Sequence, residues 1–193
     1  MTLQNIALIG KARSGKDTIA AELVRSHQYT RIAFADPLKE MALRIDPIVY
    51  QYKHTDGWHD KRLSEMVSNI GWETAKDKYP EVRRFLQMLG QSIREEYEDF
   101  WLNIALGKVR QAQRWNMPVV ITDVRYANEA AALECEGFKL VRIMRPGQDP
   151  ISGSNHASET ELDRWDTHVT TMNNGTLADL QQRARQLPLT ATQ

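Results

Sequence analysis

The sequence predicts an α/β fold, with a mainly parallel sheet of five strands carrying helices on both faces. Three observations lead there. Strand-length apolar runs alternate with helix-length amphipathic stretches along the 193 residues, which is the pattern of repeated β-α-β units. The runs Ile6–Ile9 and Val119–Ile121 are unbroken rather than alternating, as expected of parallel strands covered on both faces. The residues suited to chemistry also follow the strands, at the edge where ligands collect in such sheets.

In order, Ile6–Ile9 is the first strand, and it runs into Gly10-Lys-Ala-Arg-Ser-Gly15-Lys16. That spacing is a phosphate-binding loop: the glycines let the backbone turn its N–H groups inward. The helix that follows contributes its positive end, and Lys16 contributes a full charge. The general pattern places Ser or Thr directly after the lysine, whereas here Asp17 stands there and Thr18 comes next. Thr18–Ser26 is helical, with Ile19, Ala20, Leu23 and Val24 on one face. Tyr29–Ala35 is a second strand, and Asp36-Pro37 opens a helix to about Leu43, acid at the cap and proline in the first turn.

Residues 46–80 are rich in Tyr, Trp, His, Asp and Lys without a clear period. They read as an inserted excursion of short helices and loops, on the acceptor side of any site. Glu81–Tyr97 is a helix with Val82, Phe85, Leu86, Leu89 and Ile93 at three- and four-residue spacing, and a second helix covers Phe100–Trp115. Pro118–Asp123 is a buried strand ending in an acid. Ala127–Glu136 is a helix stopped by Gly137, and Phe138–Met144 is a strand of alternating character. Residues 146–166 form a Gly/Pro/Ser-rich lid. His168–Met172 is the last strand, turned by Asn173-Asn174-Gly175, and Thr176 caps a helix to Gln186. The tail from Leu187 frays. The whole is expected to be one domain, residues 1–193.

Acidic and basic residues balance at 25 each, so composition makes no case for a nucleic-acid polymer or a membrane as partner. No apolar run approaches the roughly 18 residues of a membrane span. The one cysteine, Cys135, excludes an intramolecular disulfide and fits a reducing, cytoplasmic setting. It reads as a small packing residue on its helix. The five tryptophans read as core or surface anchors.

Asp123 ends an apolar strand near the loop, where a carboxylate can orient Mg²⁺ through its water shell. Arg125 follows it, with Glu129 one helical turn on to fix the guanidinium. Asp36 and Lys39 could set an acid and a base beside phosphates, although Asp36 as a mere helix cap is an equal alternative. Arg83 and Arg84 begin a helix that also carries Gln87, Gly90 and Gln91. Gly90 weakens the helix interior by about 1 kcal/mol relative to alanine and reads first as a site of close packing. Arg142 and Arg145 flank the Gly/Pro loop that could close over a nucleotide. His156, Glu159 and Glu161, in the same region, lack metal-ligand spacing.

Taken together, Lys11–Thr18, Asp36-Pro-Leu-Lys39, Arg83–Gly90, Asp123-Val-Arg125 with Glu129, Arg142–Gly147, His156–Glu159 and Asn173–Leu177 resemble the phage-type deoxynucleoside monophosphate kinases of the P-loop nucleotide kinase group. Asp17 after the lysine is similar to what that family carries. The resemblance implies a P-loop NTPase-like three-layer fold and ATP-dependent phosphoryl transfer to the 5′-phosphate of a deoxynucleoside monophosphate. It implies Gly10, Arg13, Ser14, Gly15, Lys16, Asp17 and Thr18 at the ATP phosphates and Asn173, Asn174 and Gly175 at the adenine. It implies Asp17, Thr18 and Asp123 at Mg²⁺. Asp36, Lys39, Arg84, Gln87, Gln91, Asp123, Arg125 and Glu129 are then the acceptor side, with Lys16, Asp36, Arg125 and Arg145 in catalysis. The implied partners are small nucleotides, with a homodimer left open. Phosphomevalonate and dephospho-coenzyme A kinases share parts of these motifs, and a P-loop ATPase acting on a partner protein is the alternative from another class.

Overall fold

The computed structural model describes residues 3–147 and 160–189. It divides into two compact units, Met1–Phe34 with Leu102–Gln193, and Ala35–Trp101.

The first unit is built on five parallel strands, β1 (Ile6–Ile9), β2 (Thr30–Ile32), β5 (Val119–Val124), β6 (Lys139–Met144) and β7 (Val169–Met172), in the order β2-β5-β1-β6-β7. In register, Ile6 lies beside Val120 on one side and Lys139 on the other. β1 is therefore central, and all four of its residues are buried, as its unbroken apolar run predicts. Helix α1 (Lys16–His27) and the last helix, α7 (Leu177–Gln186), cover one face. Ile19, Ala20, Leu23, Leu180, Ala184 and Leu187 pack there against Ile6, Leu8, Val120, Val141 and Ile143. Alternate strand residues point the other way. Ala7, Ile121 and Leu140 are buried on that side, and α5 (Phe100–Arg114), from Leu102 onward, and α6 (Ala127–Cys135) add buried Leu106, Val109, Ala130 and Leu133 to the unit.

Several expectations change. Val24 is 41% exposed, outside the buried stripe of α1. β6 does not alternate, because helices cover the sheet on both faces there, α1 and α7 on one and α6 on the other; Lys139, Leu140 and Val141 are buried in succession. Cys135 is exposed and is not a packing residue. The tail does not fray at once, since Leu187–Leu189 forms a 3₁₀ turn with Leu187 buried. Of the lid, residues 148–159 lie outside the described residues, His156 and Glu159 among them.

The second unit holds α2 (Ala35–Ile45), a two-stranded antiparallel hairpin of β3 (Ile48–His54) and β4 (Gly57–Arg62), α3 (Leu63–Lys78) and α4 (Pro80–Glu96). In residues 46–80 a hairpin stands where loops are expected, while the short helices are there as the two halves of α3. The helix is broken at Gly71, whose φ of 74° and ψ of 163° belong to no helix. The unit has its own core of Ala42, Val49, Leu63, Met66, Ala75, Val82 and Leu86. Gly90 serves packing, as read: a Cβ there would stand 3.3 Å from Leu38 Cδ2 of α2.

Candidate active site

Four of the five parallel strands deliver chemistry-bearing residues at their carboxyl ends within the first unit. β1 leads into the Gly10–Thr18 loop, β5 ends at Asp123 and Val124, β6 is followed by Arg145, and β7 by Asn173. Because β1 lies between β5 and β6, the loop occupies the middle of this edge.

The loop's shape requires its glycines. A Cβ on Gly10 would stand 2.5 Å from the carbonyl oxygen of Ile143, and one on Gly15 would stand 2.7 Å from Asn173 Nδ2. Gly15 also has φ of 109°, in the region that favours glycine. Arg13 takes φ of 62° without that advantage, a conformation that costs about 1–3 kcal/mol and persists where surrounding contacts fix it. Gly15 caps α1 with no side-chain hydrogen bond, so no side chain covers the helix's first N–H groups at this cap. Ser14 is 1% exposed, and its hydroxyl has no hydrogen-bond partner among the described residues. Lys16 is buried, and its ammonium donates to the carbonyls of Gly10 and Lys11, each at 2.7 Å. Asp17 is exposed and Thr18 half-buried.

A contact missing from the sequence reading ties the loop to the far end of the chain. Asn173 Nδ2 donates to the Ser14 carbonyl at 2.8 Å, while the Asn173 backbone N–H donates to Met144 at 2.7 Å. Arg183, which was not singled out, supports the same turn: its guanidinium donates to the Met172 carbonyl and, at 3.2 Å, to Asn174 Oδ1. Gly175 is followed by the expected cap, in which Asp179 and Thr176 exchange hydrogen bonds. Arg145 Nη1 reaches the Arg13 carbonyl at 3.5 Å.

On the other side of β1, Asp123 Oδ1 accepts the Phe34 N–H at 2.9 Å. Glu129, 3% exposed, accepts the backbone N–H groups of Arg125 at 2.9 Å and Tyr126 at 3.2 Å. Its carboxylate therefore fixes the main chain from which Arg125 projects. Arg142 is engaged within the fold of the first unit. Its Nη2 donates to the carbonyls of Leu162 and Trp165, at 2.8 and 2.6 Å, and so anchors the turn that follows the Gly/Pro loop. Glu161 accepts the Ala127 N–H at 2.7 Å, and Lys11 pairs with Asp163.

The remaining predicted residues belong to the second unit. Asp36 lies in the first turn of α2. Lys39 Nζ sits 5.8 Å from the centre of the Trp72 ring, a cation–π distance. On α4, Arg84 is exposed and stands 3.9 Å from Glu81, Gln91 donates to Glu95 at 3.3 Å, and Gln87 is half-buried.

A central parallel strand, a Gly-bounded loop with a buried lysine, and an uncapped helix start define a P-loop NTPase-like fold. Among solved structures, a dephospho-CoA kinase from Campylobacter jejuni superposes with a TM-score of 0.51, at 13% identity over 95% of this chain and 94% of that one, a likeness of fold. The family described as deoxynucleotide monophosphate kinase matches residues 60–184. A protein of Acanthamoeba polyphaga mimivirus named "Putative deoxynucleotide monophosphate kinase" is 31% identical over 166 residues, covering 81% of each chain. An uncharacterized protein, ORF77 of Ictalurid herpesvirus 1, is 35% identical over 109 residues, which are 54% of this chain and 46% of that protein. The chain belongs to the deoxynucleotide monophosphate kinase family, and nucleotide phosphorylation is the work of that family.

Proposed function

We propose that the protein transfers the γ-phosphoryl group of ATP to the 5′-phosphate of a deoxynucleoside monophosphate, giving a deoxynucleoside diphosphate and ADP. The observation that carries this reading is the loop at the end of β1. A buried hydroxyl with no partner among the described residues, a buried ammonium that donates to carbonyls of its own loop, and glycine backbone where a Cβ would collide together fit a chain of phosphates.

In this reading Lys16 exchanges the carbonyls of Gly10 and Lys11 for the β- and γ-phosphate oxygens, and the amides of residues 13–18 with the Ser14 hydroxyl take the others. Asp17, Thr18 and Asp123 would hold Mg²⁺, partly through water. The ion, when bound, supplies positive charge to the phosphate oxygens. Arg125 clamps the acceptor phosphate with two parallel hydrogen bonds, and Glu129 keeps its backbone in place. Asp36, Lys39, Arg84, Gln87 and Gln91 are assigned to the acceptor nucleotide, Arg145 to the transferring group, and Asn173, Asn174 and Gly175 to the adenine. No nucleophilic side chain is needed, because phosphoryl transfer depends on positioning and charge neutralisation.

The test is a coupled assay of ADP release with ATP, Mg²⁺ and each common deoxynucleoside and ribonucleoside monophosphate in turn. ADP formed only with particular deoxynucleotides is the expected result. Equal release without any acceptor would overturn it in favour of an ATPase, and release only with another phosphorylated small molecule would move the acceptor assignment.

A further inference from the structure

The tip of the β3–β4 hairpin, in the second unit, gathers three ligand-type side chains that the phosphoryl-transfer reading does not use. His54 Nδ1 lies 3.1 Å from Asp56 Oδ1, and His59 Nε2 lies 2.8 Å from the same oxygen. One ligand atom from each of the three residues falls within 4.8 Å of the others. They come from the sequence His54-Thr-Asp56-Gly-Trp-His59, so the first ligand ends β3, the second sits in the turn and the third lies on β4.

We propose that this tip binds one divalent transition-metal ion of the zinc class, through His54, Asp56 and His59, with a fourth position left to water. The donor set suits such an ion: two imidazoles and a carboxylate favour zinc-like metals over Mg²⁺, which takes oxygen ligands. The spacing suits it too. Ligand atoms at about 2.0–2.1 Å from a tetrahedral zinc stand roughly 3.3 Å apart along each edge. The two contacts on Asp56 Oδ1 fall inside that edge, and the three ligand atoms all lie within 4.8 Å, so a metal would widen the Asp56 contacts and draw the three ligands to a common spacing by side-chain adjustment. The rings are also held. His59 stacks on Tyr52 at 5.4 Å and 22°, and meets His54 edge-on at 5.9 Å. Tyr52 is the cross-strand partner of His59, and His54 that of Gly57. A metal at this point would bridge the end of β3 to β4 and pin the register of a ribbon whose side chains are largely exposed. All three residues lie at the surface, with side-chain exposures of 64%, 67% and 40%, so they are open to an ion from solution.

The experiment titrates the untagged full-length chain with ZnCl₂ by calorimetry, without nucleotide, and with Co²⁺ followed by visible absorption. One Zn²⁺ per chain is expected, undiminished by millimolar Mg²⁺, with Co²⁺ bands of low coordination number. His59→Gln and Asp56→Asn should each weaken uptake at least about tenfold, while Cys135→Ser leaves it intact. All variants should keep the far-ultraviolet circular dichroism of the parent and its ADP release. Absence of uptake by the parent overturns the proposal. So does uptake unchanged in a His54→Gln/His59→Gln protein, or abolished by Cys135→Ser, either of which would locate the ion elsewhere.

Discussion

Lys16 and Asn173 differ in how far their roles can be read from the sequence. Lys16 is found by spacing, since few backbone arrangements other than a phosphate loop use Gly-x₄-Gly-Lys directly after a buried strand. Removing its ammonium should cost catalysis more than folding, because the carbonyls of Gly10 and Lys11 that it bonds belong to the loop itself, and a phosphate chain offers it stronger acceptors. Lys16→Met is expected to lower the rate of ADP formation about 10²–10³-fold, the scale for losing one charged contact to a transition state, with an unchanged melting temperature. Asn173 has a sufficient local explanation, an Asn-Asn-Gly turn, and its bond to Ser14 spans 159 positions; no local pattern reveals it. Asn173→Ala leaves the Ser14 carbonyl without this donor, a loss of about 1–3 kcal/mol. It should appear as a raised KM for ATP with a smaller change in kcat. The exposure of Cys135 is not legible in the sequence because α6 is Ala-rich, so no strongly apolar stripe marks which face of the helix is buried.

The elements of the sheet were legible where burial is complete. β1 and β5 are covered on both faces, so their apolar runs carry the strand signal without alternation. The hairpin was illegible for the opposite reason. In β3 only Val49 is buried, and β4 buries no residue fully, so a period of two had no apolar face to display. Within α3, Gly71 has a backbone conformation that is essentially confined to glycine, with open space around a built Cβ. Gly71→Ala should therefore destabilise through backbone strain alone, by about 1–3 kcal/mol, measured as a lower urea midpoint. A residue inserted without strain would show no shift.

At the scale of the molecule, the ionisable groups with displaced pKa values set a stability window in pH. Glu22 is 2% exposed and held below its usual 4.5 by hydrogen bonds from Arg185, at 2.6 Å, and from Arg25. Asp46, bonded to the Ser64 N–H, and Asp179, bonded to the Thr176 N–H, are likewise held below 3.8. Each binds fewer protons folded than unfolded in this range, so its contribution is complete above the unfolded value and fades as pH falls through the folded one. Tyr29 behaves in the opposite sense: burial raises it from 10.0 to about 12, so its contribution is complete below pH 10.0 and fades as pH rises toward that higher value. These groups should make denaturant midpoints fall on both the acid and the alkaline side, while Lys139, which burial holds below its usual 10.5, adds a rise as pH climbs toward that value. Glu22→Gln should lessen the acid slope and Tyr29→Phe the alkaline one. The same long-range tie that steadies the loop has a bearing on how the chain is made. Ser14 leaves the ribosome 159 residues ahead of Asn173, and Leu180, whose Cδ2 lies 2.9 Å from where a Gly15 Cβ would be, follows later still. A nascent chain halted before β7 carries the loop's full motif and its contacts to β6, but lacks those to Asn173 and Leu180, so the motif completes its contacts only when synthesis has passed α7.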